Sequence, residues 1–289
     1  MKRILICLIA LIISAGASFA ATNTNWDSDA QLKRVNTIGQ KILQANKLPS
    51  GITFKISEED HINAYANIDK EIYVYKGLLQ FVENDQELAA VISHEMGHIV
   101  NAHCSKQTLV NAASSIAANS NAVNNTKYAT AVQTGQQLAM LKMSRNDEYE
   151  ADITGTELMI KAGYDPKAMI SVLNKICENS FDVLSTHPSG INRLMNIYDY
   201  LAYAYPDTVK TVYSTDSYKN AIVAINTKVD ARNAKKNGQQ KHDKNMKKLV
   251  EKRQKQQAKY ARTTDPWTTS VNAVNSTMNA VNILQNLGK

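Results

Sequence analysis

The sequence predicts an α+β protein: a mostly helical domain with a small antiparallel or mixed sheet, followed by a basic C-terminal tail that is helical or disordered. Three observations predict this. Apolar residues recur at helical spacing along much of the chain, beginning with Leu32, Val35, Ile38, Ile42 and Leu43 on one stripe. Short runs with strand character are confined to residues 52–75. The net charge of +7 is unevenly spread: residues 21–227 hold 17 Lys+Arg against 22 Asp+Glu, whereas residues 228–262 hold 13 against 3. The basicity belongs to the tail, and the body is mildly acidic.

Residues 1–20 are set apart from the fold. Met1, Lys2 and Arg3 precede an unbroken apolar run from Ile4 to Ile13, and a small-residue segment ends in Ser18-Phe19-Ala20. This is the pattern of a secretory signal peptide cleaved after Ala20; the alternative is a retained amphiphilic anchor. The run is too short to span a bilayer. Cys7 lies inside it, not directly after a cleavage site, which argues against a lipid-modified terminus. Residues 21–227 then form the domain and residues 228–289 the tail. No later segment offers eighteen consecutive apolar residues, so the expected mature protein is soluble or peripheral, in an exported compartment. Of the cysteines, Cys104 and Cys177 survive processing. In an oxidising compartment they make either a disulfide or two buried thiols.

The elements follow in order. The first helix ends at Leu48-Pro49-Ser50-Gly51. Ile52 to Ile56, Ile62 to Asn67, and Glu71 to Tyr75 read as strands. Leu78, Leu79, Phe81 and Val82 supply one or two helical turns. Asn84, with Glu87 three residues on, resembles a capping arrangement for a helix from about Asp85 to His103. Residues 105–135, rich in Ala, Asn, Ser and Thr, form either a weak helical hairpin or a mobile loop. A clearer helix runs from near Thr134 to Ala162, stopped by Gly163, and Asp165-Pro166 opens another. Helices are also predicted from about Ser189 to Tyr203 and from Thr215 to Ala224. In the tail, residues 228–262 are dense in Lys and Gln, and Val271, Val274, Met278, Val281 and Leu284 recur at helical spacing.

The chemistry lies in "VISHEMGHIVNAH", residues 91–103. Positions i and i+4 of a helix share a face, so His94 and His98 can offer ring nitrogens to one ion. Glu95 projects about 100° around the axis, within reach of a water held by that ion. A plain amphipathic helix explains Val91, Ile92, Ile99 and Val100. It does not explain two histidines and a glutamate in a helix interior, where unpartnered ionisable groups are costly. One Zn2+ per chain is the implied cofactor.

A zinc ion that does chemistry needs a third protein ligand. The pattern with Gly and His three and six residues after the second His fails, because Asn101 and Cys104 stand there. His103 lies some 140° around the helix from His98 if the helix continues. "SRNDEYEADITG", residues 144–155, offers carboxylates instead. Glu148 and Asp152 share a face while Glu150 points away, so Glu148 is the candidate ligand and Asp152 the carboxylate that orients a ligand histidine.

"NAYAN", "IYVYKGLL", "ELAAVISHEMGHIVNAH", "SRNDEYEADITGTELMIKAGYDP" and "STHPSGINRL" occur in the order and character of the HtpX, Oma and BepA type of zinc peptidase, related to the CAAX-prenyl endopeptidase. The chain resembles this family over about residues 30–200. The resemblance implies a zincin-like metallopeptidase fold, with His94, His98 and Glu148 as zinc ligands and Glu95 as the base. It also implies that Asn63, Ala64, Tyr65 and Ala66 form an edge strand on which an extended substrate pairs its backbone. His187 matches a family histidine that stabilises the transition state or, in some relatives, occupies the open metal position; the plainer alternative is a capping or core histidine. Arg193 matches an arginine held near the site, the alternative being a structural salt-bridge partner. The region 105–135 corresponds to family segments that form membrane helices or a plug over the cleft, and its polar, Ala- and Asn-rich character here favours a movable lid.

The expectation is a periplasmic endopeptidase acting on unfolded or misfolded envelope proteins, outer-membrane proteins among them. Two other readings compete: a chaperone-like assembly factor with latent or suppressed cleavage, and a protein whose basic tail adheres peripherally to anionic lipid or an envelope complex. Nucleic acid is not an expected partner of an exported chain.

Overall fold

The computed structural model describes residues 26–48, 51–107, 144–179, 187, 190–211 and 213–262. The anticipated signal peptide, the terminal amphipathic segment and all but the first residues of the anticipated lid lie outside these.

The chain opens with α1 (Ser28–Asn46), whose start is fixed by Asp27 accepting a hydrogen bond from the Ala30 amide. Its buried face carries Val35, Ile38, Gly39 and Ile42. Gly39 lets the helix lie directly on the ring of Phe54, which a β-carbon would strike at 2.2 Å. The sheet is mixed, in the order β1 (Thr53–Ser57), β3 (Glu71–Tyr75), β2 (Ala64–Ala66). β1 runs parallel to β3, and β2 runs antiparallel to it with Tyr65 opposite Tyr73. β2 is thus an edge. Ile72 and Val74 turn inward from the central strand and are fully buried.

Lys76–Phe81 make the short α2, and α3 (Asp85–Val100) follows. Asn84 caps α3 by accepting from the Gln86 and Glu87 amides, as its sequence pattern predicted. Every residue of α3 from Glu87 to Ile99 is buried, so this is the central helix of the core. It ends earlier than predicted. Ala102 takes a left-handed conformation (φ 56°), and Asn101 turns its amide back onto the Gly97 carbonyl at 2.8 Å.

α4 (Arg145–Lys161) packs against α3 more extensively than any other element. It begins at Arg145, where Ser144 is extended and forms a capping box with Asp147; the stretch from Thr134 to residue 143, where the sequence placed its start, lies outside the described residues. Two glycines allow the close crossing. A β-carbon on Gly97 would stand 2.6 Å from the Ala151 carbonyl oxygen, and one on Gly155 would stand 2.9 Å from the Ser93 oxygen.

α5 (Lys167–Asn179) and α6 (Ile191–Ala204) close the core, followed by the short α7 (Pro206–Lys210). α8 (Asp216–Asn233) packs on α5, and α9 (Gly238–Arg262) packs on α6. The anticipated domain limit at residue 227 falls inside α8. The protein is therefore a mostly helical α+β fold with a small mixed sheet, and among the described residues no helix is long and apolar enough to cross a membrane.

Candidate metal centre

The close crossing of α3 and α4 brings the two sequence motifs face to face. His94 Nε2 lies 3.1 Å from His98 Nε2 and 3.5 Å from Glu148 Oε2. His98 Nε2 lies 3.4 Å from Glu148 Oε1. His187 completes a quartet, its Nδ1 3.4 Å from His94 Nε2 and 3.1 Å from Glu148 Oε1. All four residues are buried, and their donor atoms fall within 4.8 Å of one another.

These spacings test the fit of a metal ion. A tetrahedron of ligand bonds of about 2.0–2.1 Å has edges of about 3.3–3.4 Å between donors, which the contacts of 3.1–3.5 Å bracket. Three imidazoles and a carboxylate suit a borderline divalent cation. The residues fit.

Without an ion, the electrostatics divide the three histidines: His98 is held neutral, whereas His94 and His187 are held toward the protonated form, so binding an ion there displaces protons. Burial drives His98 down to about 3, which keeps it neutral, the form that binds metal. Burial acts the same way on His94, but hydrogen bonds to Asp152 and Glu148 outweigh it and raise His94 to about 9. His187 is also raised, the charges of Glu148 and Glu95 overcoming its burial. Glu148 is buried too, yet the positive charges of His187 and Arg193 hold its carboxyl well below the usual range.

The surrounding carboxylates have separate tasks. Asp152 Oδ1 lies 2.9 Å from His94 Nδ1, on the side of the ring away from the quartet. Arg193 ties the two acids together, donating from Nε to Asp152 Oδ2 at 2.7 Å and reaching Glu148 Oε2 with Nη1 at 2.7 Å. Glu95 stays out of the quartet. Its Oε1 lies 3.7 Å from His187 Nε2, and its buried Oε2 has no hydrogen-bond partner among the described residues.

A narrow cleft opens beside Glu95 and His187, walled by Ala64, Val91, Met169, Val172 and Ile176. β2 forms one rim. Asn63 and Asn67 use their backbones toward β3, through the Asn63 carbonyl to the Tyr75 amide and the Asn67 amide to the Glu71 carbonyl, both at 3.0 Å. Alternation then turns the backbones of Ala64 and Ala66 away from β3; the Ala66 carbonyl accepts from the Cys104 thiol, which leaves Ala64 as the residue whose backbone faces the outer edge. Tyr65 stacks on Tyr73 with ring centroids 5.0 Å apart.

Thus His94, His98, Glu148, Glu95, Asp152, His187 and Arg193 converge, and Ala64 lines the same cleft. Cys104 and Cys177 are not brought together. They form no disulfide: the Cys104 thiol is buried and donates to the Ala66 carbonyl at 3.2 Å, while Cys177 sits on α5.

His103 and Glu150 are the residues that sequence spacing passed over. The break at Ala102 swings His103 behind His98, placing its Nδ1 3.0 Å from His98 Nδ1. Glu150 faces His103, with Oε2 3.3 Å from His103 Nε2. No glycine or proline marks that break, so helical periodicity placed His103 on the wrong face.

Comparison with known proteins agrees with this site. The profile of peptidase family M48 matches residues 29–200. The beta-barrel assembly-enhancing protease of Escherichia coli (strain K12) is 26% identical over 178 residues, which cover 55% of this chain and 37% of that protein. The mitochondrial metalloendopeptidase OMA1 of Arabidopsis thaliana is 34% identical over 150 residues, 50% of this chain and 30% of its own length. The metalloprotease LoiP of Escherichia coli (strain K12) is 28% identical over 176 residues, 58% of this chain and 69% of LoiP. The match thus spans little more than a third of the first of these relatives.

Proposed function

Because the chain belongs to peptidase family M48, we propose that it is a zinc-dependent endopeptidase of the periplasm that hydrolyses misfolded cell-envelope proteins. The observation that carries this reading is the buried quartet, its donor atoms within 4.8 Å of one another, with Glu95 beside it and one oxygen of that carboxylate without a hydrogen-bond partner among the described residues. His94, His98 and Glu148 would hold a zinc ion, which would supply Lewis-acid chemistry to a water and to the substrate carbonyl.

The chain's own residues do the rest. Glu95 takes a proton from the attacking water and delivers it to the leaving amine, a role open to a carboxylate not already engaged at both oxygens. Asp152 holds the His94 ring in orientation, and Arg193 keeps Asp152 and Glu148 in place against their mutual repulsion. His187, which lies beside Glu95 in the cleft, would donate a hydrogen bond to the carbonyl oxygen as charge develops on it. The outward backbone of β2 pairs with an extended substrate, and the apolar wall of the cleft receives a side chain. Names of relatives such as beta-barrel assembly-enhancing protease support outer-membrane proteins as the substrate class. Export is supported by the signal-like pattern of residues 1–20.

The test is zinc content together with casein cleavage in the protein from residue 21 onward, comparing wild type, Glu95→Gln and His187→Ala. Bound zinc with cleavage abolished by Glu95→Gln supports the reading; absent zinc, or turnover surviving Glu95→Gln, sinks it.

One observation favours a second reading, a chaperone-like assembly factor with suppressed cleavage. His187 is buried at donor distance from both His94 and Glu148, as a residue closing the site would be. A rise of cleavage in His187→Ala supports suppression, and bound zinc with no cleavage in any of the three proteins favours the chaperone-like role.

A further inference from the structure

The composition of α9, the last helix among the described residues, predicts an extended solvated helix or disorder, yet it is tied to the domain. Arg253 is only 3% exposed, and its guanidinium donates to Glu157 of α4, with Nη2 2.5 Å from Oε2. Glu157 also accepts from the Tyr200 hydroxyl. A buried ion pair of this kind fixes position more than it adds stability. The register that it sets brings Lys252 and Gln256 over Glu150.

From there polar contacts continue to the metal centre. The Gln256 side-chain oxygen is occupied by Arg253 Nη1 at 2.9 Å, which turns the amide nitrogen to Glu150 Oε1 at 2.6 Å. Lys252 Nζ reaches the same oxygen at 3.3 Å. The other Glu150 oxygen lies 3.3 Å from His103 Nε2, and Asp147 Oδ1 lies 3.5 Å from the same nitrogen. His103 Nδ1 is 3.0 Å from His98 Nδ1.

Proton placement gives this chain of contacts a direction. Carboxylates accept only, so the proton on His103 faces Glu150 and the lone pair of its Nδ1 faces His98. His98 then carries its proton on Nδ1 and presents the Nε2 lone pair to the quartet.

We propose that α9 is a positioning element for the metal centre, acting through Gln256 and Lys252 on Glu150, and through Glu150 on His103 and the ligand ring of His98. The device rests on the metal-site reading, and it makes metal affinity depend on a helix outside the residues that match the peptidase family. His103 and Glu150 are positioning residues, since neither lies among the metal donors.

The experiment measures Zn2+ and Co2+ affinity by competition with a chromophoric chelator, using the protein from residue 21 to its C-terminus. The variants are His103→Ala, Glu150→Ala and the α9 pair Lys252→Ala with Gln256→Ala, each alone, plus the α9 pair in the His103→Ala background. Loss of an orienting partner lowers metal affinity by about 10- to 100-fold, and that range is expected for His103→Ala. Glu150→Ala and the α9 pair are expected to give progressively smaller losses. His103→Gln, which keeps an acceptor for His98, should recover part of the affinity. The α9 pair should have no further effect once His103 is alanine, a non-additivity that general loosening of the fold would not produce. An unchanged affinity in the α9 pair, or an equal loss with and without His103, overturns the proposal. Failure of the wild type to bind a divalent cation overturns the metal-site reading and this proposal together. Cation binding abolished by His94→Ala, with silent α9 variants, overturns this proposal alone.

Discussion

Gly155 of α4 lies so close to Ser93 of α3 that a β-carbon on it would stand 2.9 Å from the Ser93 oxygen. The next residue of α3 is His94, and three residues before Gly155 is Asp152, its ring partner. The contact between two backbones therefore sets the separation on which the metal centre depends.

Gly155→Ala is expected to force the helices apart. Overpacking of this kind costs about 1–3 kcal/mol, visible as a lower urea midpoint, and metal affinity should fall with it. Gly97→Ala, which meets the Ala151 carbonyl, should act in the same direction. Full stability and full metal affinity in both variants would contradict this role for the glycines.

Arg193→Ala would leave Glu148 and Asp152 as adjacent buried carboxylates without their guanidinium. Removing one partner from a buried ion pair typically costs about 3–5 kcal/mol. A comparable loss is expected in metal-free unfolding measurements, with partial recovery on added zinc. A loss below about 1 kcal/mol, the scale of an exposed pair, would mean that the two acids are not held by Arg193.

Ala64→Pro removes an amide that faces the open edge of β2 and leaves the Asn63 and Asn67 backbone bonds to β3 in place. Proline is tolerated on edge strands for this reason. If substrate pairs with β2, the variant should keep its fold and its affinity for a divalent cation while kcat/KM for an extended peptide drops at least tenfold, equivalent to about 1.4 kcal/mol. Unimpaired peptide cleavage would exclude β2 as the pairing edge.

Stability should decline at alkaline pH. Burial pushes the Cys104 thiol up to about 12, and burial likewise raises Tyr213 and Tyr218 to about 12. Their folded values lie above the unfolded ones, so the stability is fully present below pH 9 and is lost as pH rises from 9 toward 12. In Cys104→Ala the decline should be shallower by up to about 1.4 kcal/mol per pH unit. Chemical unfolding at pH 8, 9.5 and 11 checks this; identical slopes for variant and wild type would show that the thiol ionises freely in the fold.

The candidate metal motif was legible because the residues that come together there obey helical periodicity. His94 and His98 share a face by spacing alone, and so do Glu148 and Asp152. The cap at Asn84 and the strand at Glu71–Tyr75 were legible for the same reason, since local chemistry decides both. His187 and Arg193 were reached only through resemblance, as no local rule ties a loop histidine or a helical arginine to a distant site. Local signals failed at Ala102, where a non-glycine residue takes a left-handed turn and ends the helix early. They failed again at α9, whose buried Arg253 is one cation among many in a Lys- and Gln-rich run.

By itself, then, the sequence determined the mostly helical α+β class, the helix that carries His94, Glu95 and His98, and the acidic helix that answers it. Periodicity and capping act over a few residues, and such information is complete in the chain. Tertiary structure alone decided that Gly97 and Gly155 bring those helices into backbone contact. It also decided that Cys104 bonds a strand carbonyl instead of Cys177, and that Glu150 and His103 link the tail to His98. These relations join residues far apart in the chain, and only packing in three dimensions determines which side chain meets which partner.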